Sequence, residues 1–312
     1  MRIAVIDLGT NSVRFDVYEV KELGEVRRLH REKQMVRLGD GLFDRGVLSE
    51  PAIKRTVDAI DSFSKRIKQL GVSDVRAFAT SAVRDSKNPQ DLLKEVKSKA
   101  GIQIEVISGD QEALLIAKGI LNNEVTPSGV FALIDIGGGS TEVSICQKKT
   151  ILDRFSFKLG ANRLHQMFLK SSPPQGNGKG EDLLAPLRTH IRSVIEPVVQ
   201  KRNWPKLMIG IGSSGTARAI EKILKKKDSK VDPFRVDALG DLVKKLVPLT
   251  QKELLKIPGM DPKRVDIMLA GTVLLEEFGR AFHLKKFYTT EYSLRDGIFE
   301  EMMESLVIPP RR

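Results

Sequence analysis

The sequence predicts a duplicated α/β fold, and three observations carry that reading. The first is an internal repeat. Ala4-Val5-Ile6-Asp7-Leu8-Gly9-Thr10-Asn11-Ser12 aligns with Ala132-Leu133-Ile134-Asp135-Ile136-Gly137-Gly138-Gly139-Ser140. Each copy runs a buried strand into Asp, an aliphatic residue, Gly and a tight turn closing on Ser. Alternation then resumes at Phe15–Tyr18 and at Val143–Cys146, as in a hairpin. The second observation is that each half continues with an amphipathic helix, Pro51–Leu70 and Asp182–Lys201. A strand ending in small polar residues follows it, Val75–Ser81 and Leu207–Gly215. The third is a closing strand and helix in each half. These are Ile102–Ile107 with Gln111–Leu121, and Phe287–Glu291 with Leu294–Leu306.

The halves are expected at 1–122 and 123–312, divided near Asn122–Gly129, where Asn, Pro and Gly cluster. Ser171–Gly180 reads as a loop in the second half. A helical stretch at about 236–282 has no counterpart in the first. Such a unit, repeated, suggests two mixed sheets with a cleft between them, and open α/β sheets bind ligands at the carboxyl ends of their strands.

Composition narrows the function classes. Of 312 residues, 41% are hydrophobic and 29% charged, the balance of an ordinary globular chain. No apolar run approaches the roughly 18 residues of a membrane span. No secretory n-region, h-region and cleavage site is seen, and Cys146 as the sole cysteine excludes an intramolecular disulfide. A cytoplasmic location is the expectation. The net charge of +12 is uneven. Residues 1–117 hold 20 Lys+Arg against 18 Asp+Glu, and residues 118–312 hold 32 against 22. A basic half suits an anionic partner, although on charge alone a solvated basic surface is the simpler reading. Lys225-Lys226-Lys227 reads as a solvated helix end. His30, His165, His190 and His283 are scattered without ligand spacing. Aromatics make up 5%, and no nucleic-acid-binding motif is found, so neither nucleic acid nor membrane is expected as a partner.

The motifs carry phosphate chemistry. Gly137-Gly138-Gly139-Ser140-Thr141 is a candidate phosphate loop, because glycines let backbone N–H groups approach an anion and the hydroxyls of Ser140 and Thr141 can donate. A plain hairpin turn is the alternative, weakened by the paired copy at Asp7–Ser12. Gly212-Ser213-Ser214-Gly215, within the small-residue run Gly210–Thr216, opens the helix Ala217–Leu224, whose N-terminus favours an anion. A tight strand-to-helix turn reads equally well. Four carboxylates accompany these loops: Asp7, Glu112, Asp135 and Glu142. Phosphoryl transfer needs a cation and a group that orients or deprotonates water, and carboxylates with phosphate suit Mg²⁺ or Mn²⁺. Turn capping is the alternative for Asp7 and Asp135. Arg84, closing Ala79–Arg84, can clamp phosphate in two-pronged fashion, although taken alone it reads as a solvated arginine.

Four blocks in this order resemble the exopolyphosphatase and guanosine pentaphosphate phosphohydrolase family. They are Ile6–Ser12, Ala79–Asn88, Val106–Ala113 and Ile134–Glu142, supported by Gly212–Thr216 and Ser293–Gly297. The resemblance spans about 3–306 and implies ribonuclease H-like domains of the actin-like ATPase superfamily, with the active site in the cleft. It implies that Glu112 is the general base, and that Asp135 and Glu142 hold the metal or the attacking water, with Asp7 as a third candidate ligand. It places Asn11, Arg84, Gly138, Gly139, Ser140 and Ser214 along the phosphate path, to which the loops add Ser12, Gly137, Thr141, Gly212, Ser213 and Gly215. Gln111 departs from a glutamate common in the family. The chain resembles the short form, without the C-terminal His-Asp-type domain. The leading expectation is an exopolyphosphatase acting on inorganic polyphosphate. Guanosine pentaphosphate 5′-phosphohydrolase is the alternative. A small-molecule kinase of the same superfamily, or a catalytically silent binder, stands further off. A homodimer is a further expectation.

Overall fold

The computed structural model describes residues 1–21, 25–175, 180–225 and 233–307. Lys226 and Lys227, and residues 176–179 of the expected loop, lie outside the described residues.

Along the chain, β1 (Arg2–Leu8), β2 (Ser12–Val20) and β3 (Val26–Met35) form a meander, followed by the short α1 (Leu42–Arg45). Helix α2 (Glu50–Gln69) starts after Ser49 with a proline in its first turn, a placement that wastes no helical N–H. Next come β4 (Asp74–Ala79), α3 (Ser81–Arg84) and α4 (Pro89–Ala100). Gly101, left-handed at φ 70°, stops α4. The pair β5 (Glu105–Val106) and α5 (Gly109–Asn123) closes this half.

The second series opens with a meander of β6 (Val130–Ile136), β7 (Thr141–Gln147) and β8 (Thr150–Phe157). Then follow α6 (Ala161–Leu164), α7 (Ala185–Gln200), β9 (Ile209–Gly212) and α8 (Ser214–Leu224). The chain continues through β10 (Phe234–Arg235), α9 (Val236–Leu246), α10 (Gln251–Leu254) and α11 (Met268–Ala281). It ends in β11 (Lys286–Thr289) and α12 (Leu294–Val307). The expected helical stretch is therefore three helices.

Two compact units result. One comprises Met1–Gly119 with Leu294–Arg312, the other Ile120–Ser293. The division thus falls inside α5, a few residues before the expected 122/123. The helix expected to finish the second half returns to the first. Its anchor is buried: Arg295 Nη1 donates to Asp16 Oδ1 at 2.7 Å, with Asp16 wholly inside.

The first sheet has the order β3-β2-β1-β4-β5, with β1 antiparallel to β2 and parallel to β4. Side chains alternate across a strand. Phe15 on one face stacks on Phe63 of α2 at 4.8 Å between centroids, and Tyr18 on the other meets Phe299 of α12 at 4.3 Å. Of the expected strand Ile102–Ile107, only Glu105 and Val106 pair with β4. Ile102 and Ile104 instead enter the core of this unit, which leaves the edge strand two residues long.

The second sheet runs β10-β11-β9-β6-β7-β8, the same order extended by β10 at one edge. Its core gathers both faces of α11, which is apolar nearly all round. Each unit has the mixed sheet expected from the repeat, in the ribonuclease H-like arrangement that the family resemblance implies. In the first, β1, β4 and β5 are parallel, so the turns after them share one edge of the sheet. In the second, β6, β9 and β11 do the same.

Candidate active site

The two copies of the hairpin fold alike. Gly9 N–H donates to Ser12 O at 3.1 Å, and Gly137 N–H to Ser140 O at 2.9 Å. In each, the segment after the third strand closes over the turn. Arg37 N–H and Gly39 N–H reach Asn11 O and Thr10 O. Ala161 N–H reaches Gly137 O, and Asn162 and Arg163 N–H both reach Gly138 O. The Arg163 side chain adds a bond from Nε to Gly139 O at 2.7 Å. All three glycine carbonyls therefore face 160–163. Because the trans peptide sets N–H opposite C=O, the amides of Gly138, Gly139 and Ser140 are directed away from that segment, as an anion-binding turn requires. Gly160 permits this closure, since a Cβ there would lie 2.4 Å from Gly139 N and 2.5 Å from Gly138 O.

The copies differ in charge. Asp7 stands opposite Arg14 in the ladder, and the two pair at 3.7 Å. The matching register in the second unit sets Asp135 opposite Glu142. Like charges facing each other on one side of a sheet repel, and a cation relieves them. Asp7 faces an arginine in its own hairpin, and Asp135 faces a second acid at the same register position. The flanking strand differs too. In the first unit β4 pairs past Asp7 to Leu8, whereas β9 pairs with β6 only as far as Ile134. Asp7 is accordingly buried and Asp135 half-buried. Ser213, just beyond β9, donates its hydroxyl to Asp135 Oδ2, and Ser156 Oγ donates to Glu142 Oε1 at 2.8 Å. Among the described residues no group of three or more His, Cys, Asp or Glu side chains forms a metal cage. Two carboxylates beside a phosphate loop match a hard cation that keeps waters and takes substrate oxygens.

In the first unit Arg84 and Glu112 meet. Arg84 Nη1 donates to Glu112 Oε2 at 2.9 Å and to Ile107 O at 3.0 Å. Arg84 is thus no solvated arginine, and Glu112 is 7% exposed. Nor is Glu112 the helix cap: α5 begins two residues before the expected Gln111, and Ser108 Oγ accepts from Gln111 N–H at 3.1 Å.

One hydroxyl needs reassignment. Thr141, expected to donate to phosphate, is wholly buried and donates to Leu159 O at 2.6 Å, so it braces the turn instead. Ser214 adopts φ 76°, and its Oγ accepts from Thr216 N–H at 3.2 Å. Strain of this kind in a serine at a helix start accompanies functional loops. The sequence did not point to Arg163, Gly160 or Arg264. Arg264 lies against Gly215, where a Cβ would come within 2.1 Å of its guanidinium. It is 7% exposed, and its Nη1 contacts Thr216 Oγ1 at 3.5 Å. Each of the three acts across a distance in sequence that no local motif records.

Comparison with known proteins decides the family. The model of the Ppx/GppA phosphatase family matches residues 17–306. The chain belongs to that family. This Ppx/GppA member is 26% identical over 311 residues to exopolyphosphatase 1 of Mycobacterium bovis, covering 98% of this chain and 89% of the relative. It is 27% identical over 315 residues to exopolyphosphatase 2 of Mycobacterium tuberculosis, covering 95% and 97%. The crystal structure of an exopolyphosphatase from Cytophaga hutchinsonii superposes with a TM-score of 0.86 at 29% identity, covering 97% of this chain and 98% of that one. No helix among the described residues is long and apolar enough to cross a membrane.

Proposed function

We propose that this Ppx/GppA family member is an exopolyphosphatase that releases the terminal phosphate of linear inorganic polyphosphate. The observation that carries the reading is the opposed pair Asp135 and Glu142 beside the Gly137–Ser140 turn, in a chain similar over nearly its whole length to two proteins named exopolyphosphatases. Glu112 takes a proton from the attacking water. The new bond forms from the water oxygen to the terminal phosphorus, and the anhydride P–O bond breaks, leaving the shortened chain as the departing group. Arg84, steadied by Ile107 O, orients Glu112 and stands ready for a phosphate oxygen. The amides of Gly138, Gly139 and Ser140 hold phosphate oxygens, with the Ser214 loop at the α8 N-terminus as a second anion seat. Asp135 and Glu142 would hold Mg²⁺ or Mn²⁺, which when bound would neutralise charge on the phosphates. Asn11 and Ser12 complete the phosphate path in the first unit. The basic composition of residues 118–312 supports a polymeric anion over a nucleotide.

The test is a substrate panel. Long-chain polyphosphate, short oligophosphate, guanosine pentaphosphate and ATP are offered at equal concentration, and phosphate release is compared. Polyphosphate should be hydrolysed fastest. Faster release from guanosine pentaphosphate would make the protein a guanosine pentaphosphate phosphohydrolase. Transfer from ATP to an acceptor, without release, would make it a kinase.

A further inference from the structure

We propose that Gly297 is a positioning residue for Glu112, acting through the backbone of α5. The inference rests on the reading of Glu112 as general base. The contact is extreme: a Cβ on Gly297 would lie 1.7 Å from Leu115 O and 2.5 Å from Leu115 C. Only the absence of a side chain lets α12 seat directly on α5. Leu115 is three residues after Glu112, just under one helical turn. The atoms met are backbone, so no side-chain rotation relieves the clash, and the two helices must separate by more than an ångström.

The separation falls on α5, because α12 is fixed from two other directions. Arg295, two residues before Gly297, is 6% exposed and bound to the wholly buried Asp16 at 2.7 Å. Phe299, two residues after it, packs against Tyr18 with the rings tilted by 36°. The far end of α5 is tied to α12 by Lys118 Nζ and Glu304 Oε2 at 3.0 Å. The first turn of α5 therefore moves, and Glu112 moves with it. Arg84 stays behind, since Ile107 O holds the guanidinium independently. The turn Gly137–Ser140 belongs to the other compact unit, and the three atoms nearest a Cβ on Gly297 all belong to Leu115. The Gly297 seat thus sets the carboxylate's position and leaves phosphate affinity alone. A base displaced by about 1 Å loses on the order of 10²-fold in rate.

The experiment is a cycle of Gly297→Ala, Glu112→Gln and the double variant, with kcat and KM for polyphosphate measured on each. Gly297→Ala should lower kcat roughly 10- to 100-fold and leave KM within about threefold. In the Glu112→Gln background the same change should have no further effect on kcat, because the group it displaces is gone. Losses that multiply in the double variant, or a Gly297→Ala loss confined to KM, would overturn the proposal. If Glu112→Gln alone keeps near-normal turnover, the reading of Glu112 as base fails instead, and that single variant reports it. Should Gly297→Ala not fold, Arg295→Lys carries the test. It loosens the same seat without adding a Cβ at Gly297, and should give a smaller kcat loss that also vanishes beside Glu112→Gln.

Discussion

Asp135 and Glu142 face one another across β6 and β7 at the register where the first unit sets Asp7 against Arg14. One duplicated hairpin carries its own counter-charge, and the other has exchanged that arginine for a second acid. A divalent cation seated between the two acids would be attracted by both. Mg²⁺ should raise the melting temperature of the wild-type protein, since a ligand that binds only the native state stabilises it. The melting point of Asp135→Asn should respond little to Mg²⁺. Thermal scans with and without Mg²⁺ check both. An Asp135→Asn protein that keeps the full Mg²⁺ shift would remove this pair as the cation site.

Glu112→Gln separates chemistry from packing. The amide keeps the size and an oxygen to accept from Arg84, but takes no proton near neutral pH. Turnover should fall by roughly 10² to 10⁴, the usual contribution of a positioned base. Polyphosphate affinity should hold or improve with one negative charge removed. Rate, affinity and melting point measured on one preparation decide the matter: early melting with near wild-type turnover excludes Glu112 from the mechanism.

Gly160→Ala should act on the opposite parameter. The added carbon would press on Gly138 and Gly139 and tilt their amides away from the anion. KM for polyphosphate should rise about tenfold or more, by loss of at least one charge-assisted hydrogen bond. An unchanged KM, read from initial rates across substrate concentration, would show that these amides do not hold phosphate.

A cluster of ion pairs between α7 and α11 should contribute to acid stability. Glu276 and Glu277 are buried on α11, held by Arg188 and Arg192 of α7. Burial pushes the Glu277 carboxyl up, but hydrogen bonds from Arg192 and Arg188 outweigh it and hold it below the ordinary glutamate value of 4.5. A depressed pKa adds stability above the unfolded value, lost as pH falls through the folded one. Stability should therefore decline below about pH 4.5, and Glu277→Gln should flatten that decline in acid titrations followed by circular dichroism. Arg188→Ala, which takes one of two arginines from each of Glu276 and Glu277, should cost about 1.5–3 kcal/mol in chemical denaturation. A loss under 1 kcal/mol would show that α7 and α11 hold together without it.

Much of this was readable from local pattern. The two hairpins, the helices after them and the glycine turns all announce themselves within a dozen residues. The meeting of Arg84 with Glu112 is not legible there: the family resemblance sets one on the phosphate path and the other as base, without pairing them. What local pattern does not carry is a contact between distant segments. Gly160 reads as an ordinary loop glycine until Gly138 is seen against it. The strand expected at Ile102–Ile107 was overcalled because its isoleucines alternate correctly, yet they fill the core from an almost unpaired edge. The contrast of Arg14 with Glu142 stood in the alignment of the repeats, but its meaning needed the cross-strand register.

The Arg295–Asp16 bond spans 279 residues of chain. During synthesis the first β-meander leaves the ribosome carrying an aspartate destined for complete burial, and its deepest partner emerges only after the whole second unit has been made. The first unit cannot be sealed in order of translation. Until α12 docks, Asp16 has Arg31 for company, at 2.9 Å, and the face around Tyr18 lacks Phe299. A nascent chain of this protein is therefore open to water and to chaperones around Asp16 and Tyr18 until α12 has been made.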